Sequence, residues 1–314
     1  MKILVAGGEG YLGSVTCNFL CERHDVVSVD VGWFQTELDP RVTRLKQDVF
    51  EITDLSGFDA VIFLAGLSND PMSDFDPRNS FSQNTGSLFH LAKIAKACEC
   101  KRFICASSCS VYGWQDRELY EHDPVLAETY YGVSKYLGEV AISKLADEDF
   151  KVCVFRMGTL SGHSPRMRFD LIINTMCRSI KKDNLITIHD PDIWRPILDI
   201  RDAARAYQFA VETPLPLDGV YNLACGNYQV KEVATILQNL TGCAVETNYK
   251  KDIRNYRVNT DKIREIFQFL YSPIDTANDL MSRVYDDMDS DRFFNIKAYR
   301  KINEKDRDLH IGVL

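Results

Sequence analysis

The chain has 314 residues, 45% of them hydrophobic and 26% charged, which excludes a disordered polymer and fits one large domain with a smaller lobe. Its formal net charge of −8 excludes a broad nucleic-acid or anionic-membrane surface, so an anionic ligand would need local arginines or helix N-termini. Ten scattered cysteines form no C-x-x-C pair, so they read as small buried hydrophobes of a reducing cytoplasm, with no metal site expected. The apolar run at the N-terminus stops at Ala6, too early for a secretory signal, and no stretch approaches the roughly 20 apolar residues of a membrane span.

The first half alternates β-rich apolar runs with helical periodicity. Lys2–Ala6 predicts a strand, Tyr11–Arg23 a helix and Val26–Asp30 a second strand. Further strands are expected at Ala60–Ala65, Arg102–Ser107 and Lys151–Arg156, with helices at Leu88–Cys98 and Tyr131–Leu145. Strand–helix alternation implies a parallel sheet covered on both faces. After residue 158 the pattern loosens: Gly158–Pro165 is rich in turn residues, Leu185–His189 is a short apolar piece, and Thr213–Pro216 is a proline-bracketed loop. The last 25 residues are polar and charged, with no structure assigned.

Between the first strand and the first helix lies Gly7-Gly8-Glu9-Gly10-Tyr11-Leu12-Gly13. Gly7 suits a tight turn, Gly10 lets the backbone approach a pyrophosphate, and Gly13 lets the helix sit close on the sheet. A pyrophosphate would rest at the helix N-terminus, where free N–H groups and the dipole favour anions. Asp30, at the end of the second strand, can accept hydrogen bonds from a ribose diol and would repel a 2′-phosphate, which favours NAD over NADP. The reading is a Rossmann, doubly wound α/β fold. Residues 1–158 would form the NAD-binding domain, and 159–314 would be mainly a substrate-binding lobe with segments returning to the sheet.

Tyr131 and Lys135 stand four apart on a predicted helix, which places them on one face. A phenol with a pKa near 10 is a poor base at neutral pH, and a neighbouring ammonium lowers the cost of the phenolate. Ser108, in Ser107-Ser108-Cys109-Ser110-Val111-Tyr112-Gly113, follows a strand whose C-terminal end faces the ligand crevice.

With these motifs in order, the chain resembles the extended short-chain dehydrogenase/reductases, specifically the nucleotide-sugar epimerase/dehydratase family. The motifs are GGEGYLG, Asp30, Asp48-Val49, LAGLSNDP, SSCSVYG, YYGVSK and WRPILDIRD, spread over roughly residues 1–265. The resemblance implies Ser108, Tyr131 and Lys135 as the catalytic set. It implies Asp48 and Val49 as adenine contacts and Leu64-Ala65-Gly66 as backbone beside the cofactor. Asn174, Arg195 and Arg254 are implied as substrate contacts, and a homodimer through the helices at 88–98 and 131–145 is implied as well.

The sequence departs from the family pattern in two places. Gln83 stands where the family carries an Asn, and Asn84 follows it. Cys109 and Ser110 stand where 4,6-dehydratases carry acidic residues, so dehydratase and decarboxylase readings fall. The related GDP-fucose synthases use a cysteine directly before an Ile-Tyr pair. Here Ser110 holds that place, and Cys109, one residue earlier on an extended strand, is expected to face away and be packed. The expected function is an NAD-dependent nucleotide-sugar epimerase acting at C4. A nucleotide-ketosugar reductase and a non-catalytic dinucleotide-binding subunit stay open as alternatives.

Overall fold

A computed structural model describes residues 1–34, 36–249, 252 and 254–311, with side chains through residue 304. Its strands are β1 (Lys2–Ala6), β2 (Asp25–Asp30), β3 (Thr43–Lys46), β4 (Ala60–Phe63), β5 (Arg102–Ser108), β6 (Glu118–Leu119) and β7 (Lys151–Met157). They continue with β8 (Thr159–Ser161), β9 (Leu185–Ile188), β10 (Trp194–Asp199), β11 (Gly219–Leu223), β12 (Gly226–Gln229), β13 (Ala244–Thr247) and β14 (Arg257–Val258). The helices are α1 (Tyr11–Leu20), α2 (Asp70–Phe75), α3 (Pro77–Phe81), α4 (Leu88–Ala97), α5 (Tyr130–Ser143) and α6 (Ile172–Asp183). They are followed by α7 (Ile200–Glu212), α8 (Val230–Thr241), α9 (Asp261–Arg264), α10 (Pro273–Ser282) and α11 (Asn295–Ile311).

Seven strands form a sheet in the order β11-β7-β5-β4-β1-β2-β3, with every pairing parallel. Alternate side chains of one strand go to opposite faces, so each strand feeds two apolar layers. Ile3, Val5, Ile104 and Phe155 enter one layer, and Leu4, Ala6, Phe103 and Val154 the other. This explains the near-continuous apolar runs of β1, β4, β5 and β7. Strand order reverses between β1 and β4, and the carboxyl ends on either side of that point bound the ligand crevice.

The sheet does not end at residue 157. Strand β11 returns to extend it beside β7, and α7 packs on α1. The remaining strands make small sheets over the crevice: β12-β10-β8, β13-β9 and β14-β6.

Three stretches differ most from the sequence reading, the other boundaries shifting by one or two residues. Helix α1 stops at Leu20, where the chain enters a tight turn with the Arg23 N–H donating to the Leu20 carbonyl. The helix before β5 begins well ahead of Leu88. Asp76 caps α3 through the Asn79 N–H, Pro77 occupies its first turn, and a π-helical turn, Ser82–Ser87, joins it to α4. Asn-Thr-Gly-Ser reads as turn chemistry, and the surrounding helices override it. The C-terminal segment is helical as α11, held by Tyr299, which is buried against Leu67 and Met72.

Candidate active site

The crevice is a cleft of about 900 Å³, and both the large sheet and the C-terminal segments line it. That volume stands at the upper end of small-molecule sites, with room for a cofactor and a substrate.

The glycine loop forms the floor of the cleft. Gly7 has φ +81°, and a Cβ there would lie 2.6 Å from the Ala65 amide nitrogen. A Cβ on Gly13 would lie 2.0 Å from the Gly7 carbonyl oxygen, so the start of α1 can sit this close only with glycine. Gly10 caps α1 without a side-chain hydrogen bond, which leaves first-turn N–H groups to an anion in the cleft. Tyr11 and Leu12 line the same floor.

Asp30 ends β2. Its two oxygens accept from the Gly32 N–H (2.9 Å) and the Glu9 N–H (3.0 Å), which fixes the carboxylate at the mouth of the loop. Burial raises its pKa, and these two backbone donors oppose the rise. Each oxygen keeps acceptor capacity for a diol. Asp48 caps a 3₁₀ turn through the Phe50 N–H (2.9 Å) and lines the cleft with Val49. Leu64, Ala65 and Gly66 leave β4 as backbone along the floor, with the Leu64 N–H donating to the Ala6 carbonyl (2.8 Å). A glycine cradle, a free helix N-terminus and a ribose acceptor together fit a dinucleotide.

Ser108 is the last residue of β5. Its hydroxyl accepts from the Ser110 N–H (3.1 Å) and lies 3.1 Å from the Ser110 hydroxyl. Tyr131 and Lys135 project from the first turns of α5, which Thr129 caps, its hydroxyl accepting from the Gly132 N–H (3.0 Å). The Lys135 ammonium lies 5.9 Å from the Tyr131 ring centroid and donates to the Ala106 carbonyl (3.1 Å). Burial pulls the Lys135 pKa down to about 8. Burial pushes the Tyr131 phenol up, and the neighbouring Ser108 hydroxyl opposes the rise. The i,i+4 pair and the strand-end serine therefore meet in space.

Two groups support this set from behind. Glu139, one turn beyond Lys135, accepts from the Ser107 hydroxyl and forms a buried ion pair with Arg156 at 2.7 Å. Tyr256 reaches the Ser110 hydroxyl (3.3 Å) and extends the hydroxyl chain from Ser108. The sequence reading missed both. The helical spacing Lys135–Glu139 could have signalled the first, and nothing local signals the second.

Arg195 and Arg254 line the far wall, already engaged by carboxylates. Arg195 Nη2 lies 2.8 Å from Asp252, and its Nη1 donates to the Arg254 carbonyl (2.7 Å). Arg254 grips Asp252 with two bonds (2.9 and 2.8 Å) and reaches Asp70 at 3.0 Å. Burial would raise the Asp252 pKa, but Arg254 and Arg195 outweigh it and hold the carboxyl down at about 2.

One expectation is corrected, one holds for a different reason, and one open position is placed. Asn174 is fully buried outside the cleft lining, and both ends of its amide serve the wall. Its nitrogen donates to the Tyr11 hydroxyl (3.0 Å) and the Arg168 carbonyl (2.8 Å), and its oxygen accepts from the Gly162 N–H (2.9 Å). Cys109 is packed as expected, but for another reason. The strand ends at Ser108, and Cys109 opens a 3₁₀ turn with its thiol against the Arg156 carbonyl (3.2 Å), where burial raises its pKa. At the departure from the family Asn, the π turn leaves Gln83 in the cleft. It turns Asn84 inward, onto the Leu67 carbonyl (3.0 Å) and the Ser134 hydroxyl (2.9 Å).

Comparison with known proteins agrees with this geometry. The sequence model of the NAD dependent epimerase/dehydratase family matches residues 3–224. A protein named uncharacterized UDP-glucose epimerase YtcB, from Bacillus subtilis (strain 168), is 23% identical over 282 residues, 83% of this chain and 88% of that one. A UDP-glucose 4-epimerase from Klebsiella pneumoniae is 34% identical over 136 residues, 38% of this chain and 98% of that one. Among solved structures, UDP-glucuronic acid 4-epimerase from Bacillus cereus, in complex with UDP-glucuronic acid and NAD, superposes with a TM-score of 0.79 at 23% identity, over 90% of this chain and 98% of that one. The NAD-dependent NDP-hexosamine 5,6-dehydratase TunA superposes with a TM-score of 0.80 at 22% identity, over 91% and 99%. Both structures share the fold.

Proposed function

This chain belongs to the NAD-dependent epimerase/dehydratase family, and from that premise we propose that it is a nucleotide-sugar C4-epimerase. The observation that carries the reading is the convergence of Ser108, Tyr131 and Lys135 beside a dinucleotide cradle, on a strand end with no carboxylate next to Ser108. Elimination chemistry needs such a group to move protons at C5 and C6, whereas inversion at C4 does not.

In this reading Gly7, Gly10, Tyr11, Leu12 and Gly13 hold the pyrophosphate of NAD. Asp30 takes the adenosine ribose, Asp48 and Val49 flank the adenine, and Leu64, Ala65 and Gly66 supply backbone along the cofactor. When bound, NAD supplies the hydride acceptor, and later the donor, for the sugar carbon. Tyr131 removes the proton of the sugar hydroxyl, and Ser108 holds that oxygen. Lys135, as an ammonium, stabilises the phenolate and reaches for the nicotinamide ribose. Tyr131 returns the proton once the opposite face has been reduced. Arg195 and Arg254 meet the nucleotide diphosphate.

We assign cofactor binding to residues 1–158 and substrate binding mainly to 159–314. We also propose a homodimer through α4 and α5, supported by the exposed Phe89, Leu137 and Val140 on those helices. Among the described residues no helix is long and apolar enough to cross a membrane. We place the protein in the cytoplasm, a reading supported by ten free cysteines.

The test is to denature purified protein, assay the supernatant for NAD(H), and incubate the native protein with UDP-, GDP-, CDP- and dTDP-hexoses without added cofactor, following the products by NMR. Bound NAD and 4-epimeric products are expected. An empty protein that consumes added NADPH stoichiometrically would overturn the epimerase in favour of a reductase.

A further inference from the structure

The far wall of the cleft carries four arginines, and Arg166 differs from the others in its surroundings. Arg195 and Arg254 share Asp252, and Arg168 lies 2.9 Å from Asp170. Among the described residues Arg166 makes one side-chain hydrogen bond, from Nη1 to the Met167 carbonyl (3.1 Å). Among the described residues its Nε and Nη2 are buried without a hydrogen-bond partner, and the residue is 4% exposed. The guanidinium carbon lies 3.8 Å from the ring centroid of Phe34. That face holds the cation in a plane but offers no acceptor to its edge.

The charges around it leave a surplus. Arg168 and Arg292 repel Arg166, and Asp170, already bonded to Arg168, is the attracting carboxylate. Burial and Arg168 together lower the Arg166 pKa to about 9. A buried guanidinium is costly unless a counter-ion completes it. The two unpartnered nitrogens form one edge of the guanidinium, the edge that grips two oxygens of a carboxylate or phosphate side by side.

Its position is set by the cofactor floor. Ser164 donates to the Tyr11 carbonyl (2.7 Å) and accepts from the Arg166 N–H (3.2 Å), which ties Arg166 to the first turn of α1. Phe34 lies on the segment that follows Asp30, and both Phe34 and Arg166 line the cleft. We infer that Arg166 binds an anionic two-oxygen group of a ligand in the cleft through Nε and Nη2. This rests on the reading of the cleft as the chamber for a dinucleotide and a nucleotide sugar. Three sources carry such a group: the dinucleotide pyrophosphate, the diphosphate of the nucleotide sugar and an acidic substituent on the sugar. The link to α1 favours the pyrophosphate.

The experiment compares wild type, Arg166→Met and Arg166→Lys, with folding checked by circular dichroism and thermal melting. NADH affinity is measured on nucleotide-stripped protein. UDP-glucose and UDP-glucuronate affinities are measured on NAD-loaded protein. If NADH binding falls about tenfold or more in Arg166→Met and recovers partly in Arg166→Lys, the inference holds with the pyrophosphate as source. If NADH binding is unchanged but UDP-glucuronate loses about tenfold more affinity than UDP-glucose, it holds with a sugar carboxylate as source, and if both sugars lose about tenfold alike, it holds with the nucleotide-sugar diphosphate as source. Affinities within about twofold for all three ligands would overturn it. Should Arg166→Met fail to fold, Arg166→Gln carries the same readings. A wild type that binds no NADH would instead overturn the chamber reading itself, and Arg166 with it.

Discussion

On the Rossmann side of the cleft, a ligand meets backbone N–H groups, hydroxyls, the Asp30 and Asp48 carboxylates and the Lys135 ammonium, whereas on the far side it meets mainly guanidinium groups. The first wall is built on the carboxyl ends of strands in a seven-stranded sheet, and its polar groups are held mainly by neighbours in sequence: Asp30 by Gly32, Ser108 by Ser110, Tyr131 by the Thr129 cap. The second wall is assembled from segments far apart in sequence, with Asp70 meeting Arg254 and Arg195 meeting Asp252. The difference suggests a division of labour: chemistry on the wall that local structure sets, and recognition on the wall that tertiary structure sets.

The largest effect expected is on the chemical wall. Tyr131→Phe removes the proton-transfer group, so turnover should fall about 10²–10⁴-fold while NADH affinity stays near that of wild type. Steady-state kinetics beside NADH titration would show the split, and an unchanged rate would end the catalytic assignment. Next, Gly13→Ala forces a methyl against the Gly7 carbonyl at a spacing of 2.0 Å. It should cost about 1–3 kcal/mol of stability and most of the NAD binding. A variant that purifies with bound NAD and an unshifted urea midpoint would contradict this.

A smaller effect of a different kind is expected on the recognition wall. Arg254→Gln leaves Asp70 and Asp252 short of a cation, so KM for the nucleotide sugar should rise about tenfold with kcat nearly unchanged. A fall in kcat alone would blur the division between the walls.

The last effect concerns stability and pH, and leaves turnover aside. Burial holds Lys135 at about 8 against 10.5 for the free side chain. The unfolded chain therefore binds more protons between those values, and stability rises with pH across that window. At and below about pH 8 the full penalty is present. Lys135→Met should accordingly unfold at higher urea than wild type at pH 7, with an advantage of about 1–3 kcal/mol that shrinks towards pH 10. Urea midpoints at the two pH values check the sign. An advantage that grows with pH would show that Lys135 is not held against its charge.

Legibility in the sequence followed the same divide. The glycine loop, Asp30, Ser108 and the Tyr131–Lys135 pair could be read because strand–turn–helix order and helical spacing are local properties. Cys109 was placed correctly but for a wrong reason, since periodicity does not reveal where β5 yields to a 3₁₀ turn. The π turn at Ser82–Ser87 was illegible because its Asn, Gly and Ser favour turns on their own, and neighbouring helices decide otherwise. Tyr256 and Arg166 could not be found at all. Their surroundings exist only once the C-terminal segments fold over the sheet, and a lone Arg or Tyr in a loop carries no periodic signal.

The most direct test of transient oxidation at C4 uses a nucleotide hexose deuterated at that carbon, incubated in ordinary water with the purified protein and no added cofactor. The expected result is conversion to the C4 epimer with the deuterium fully retained. Washout of the label to solvent, or net accumulation of NADH, would contradict it.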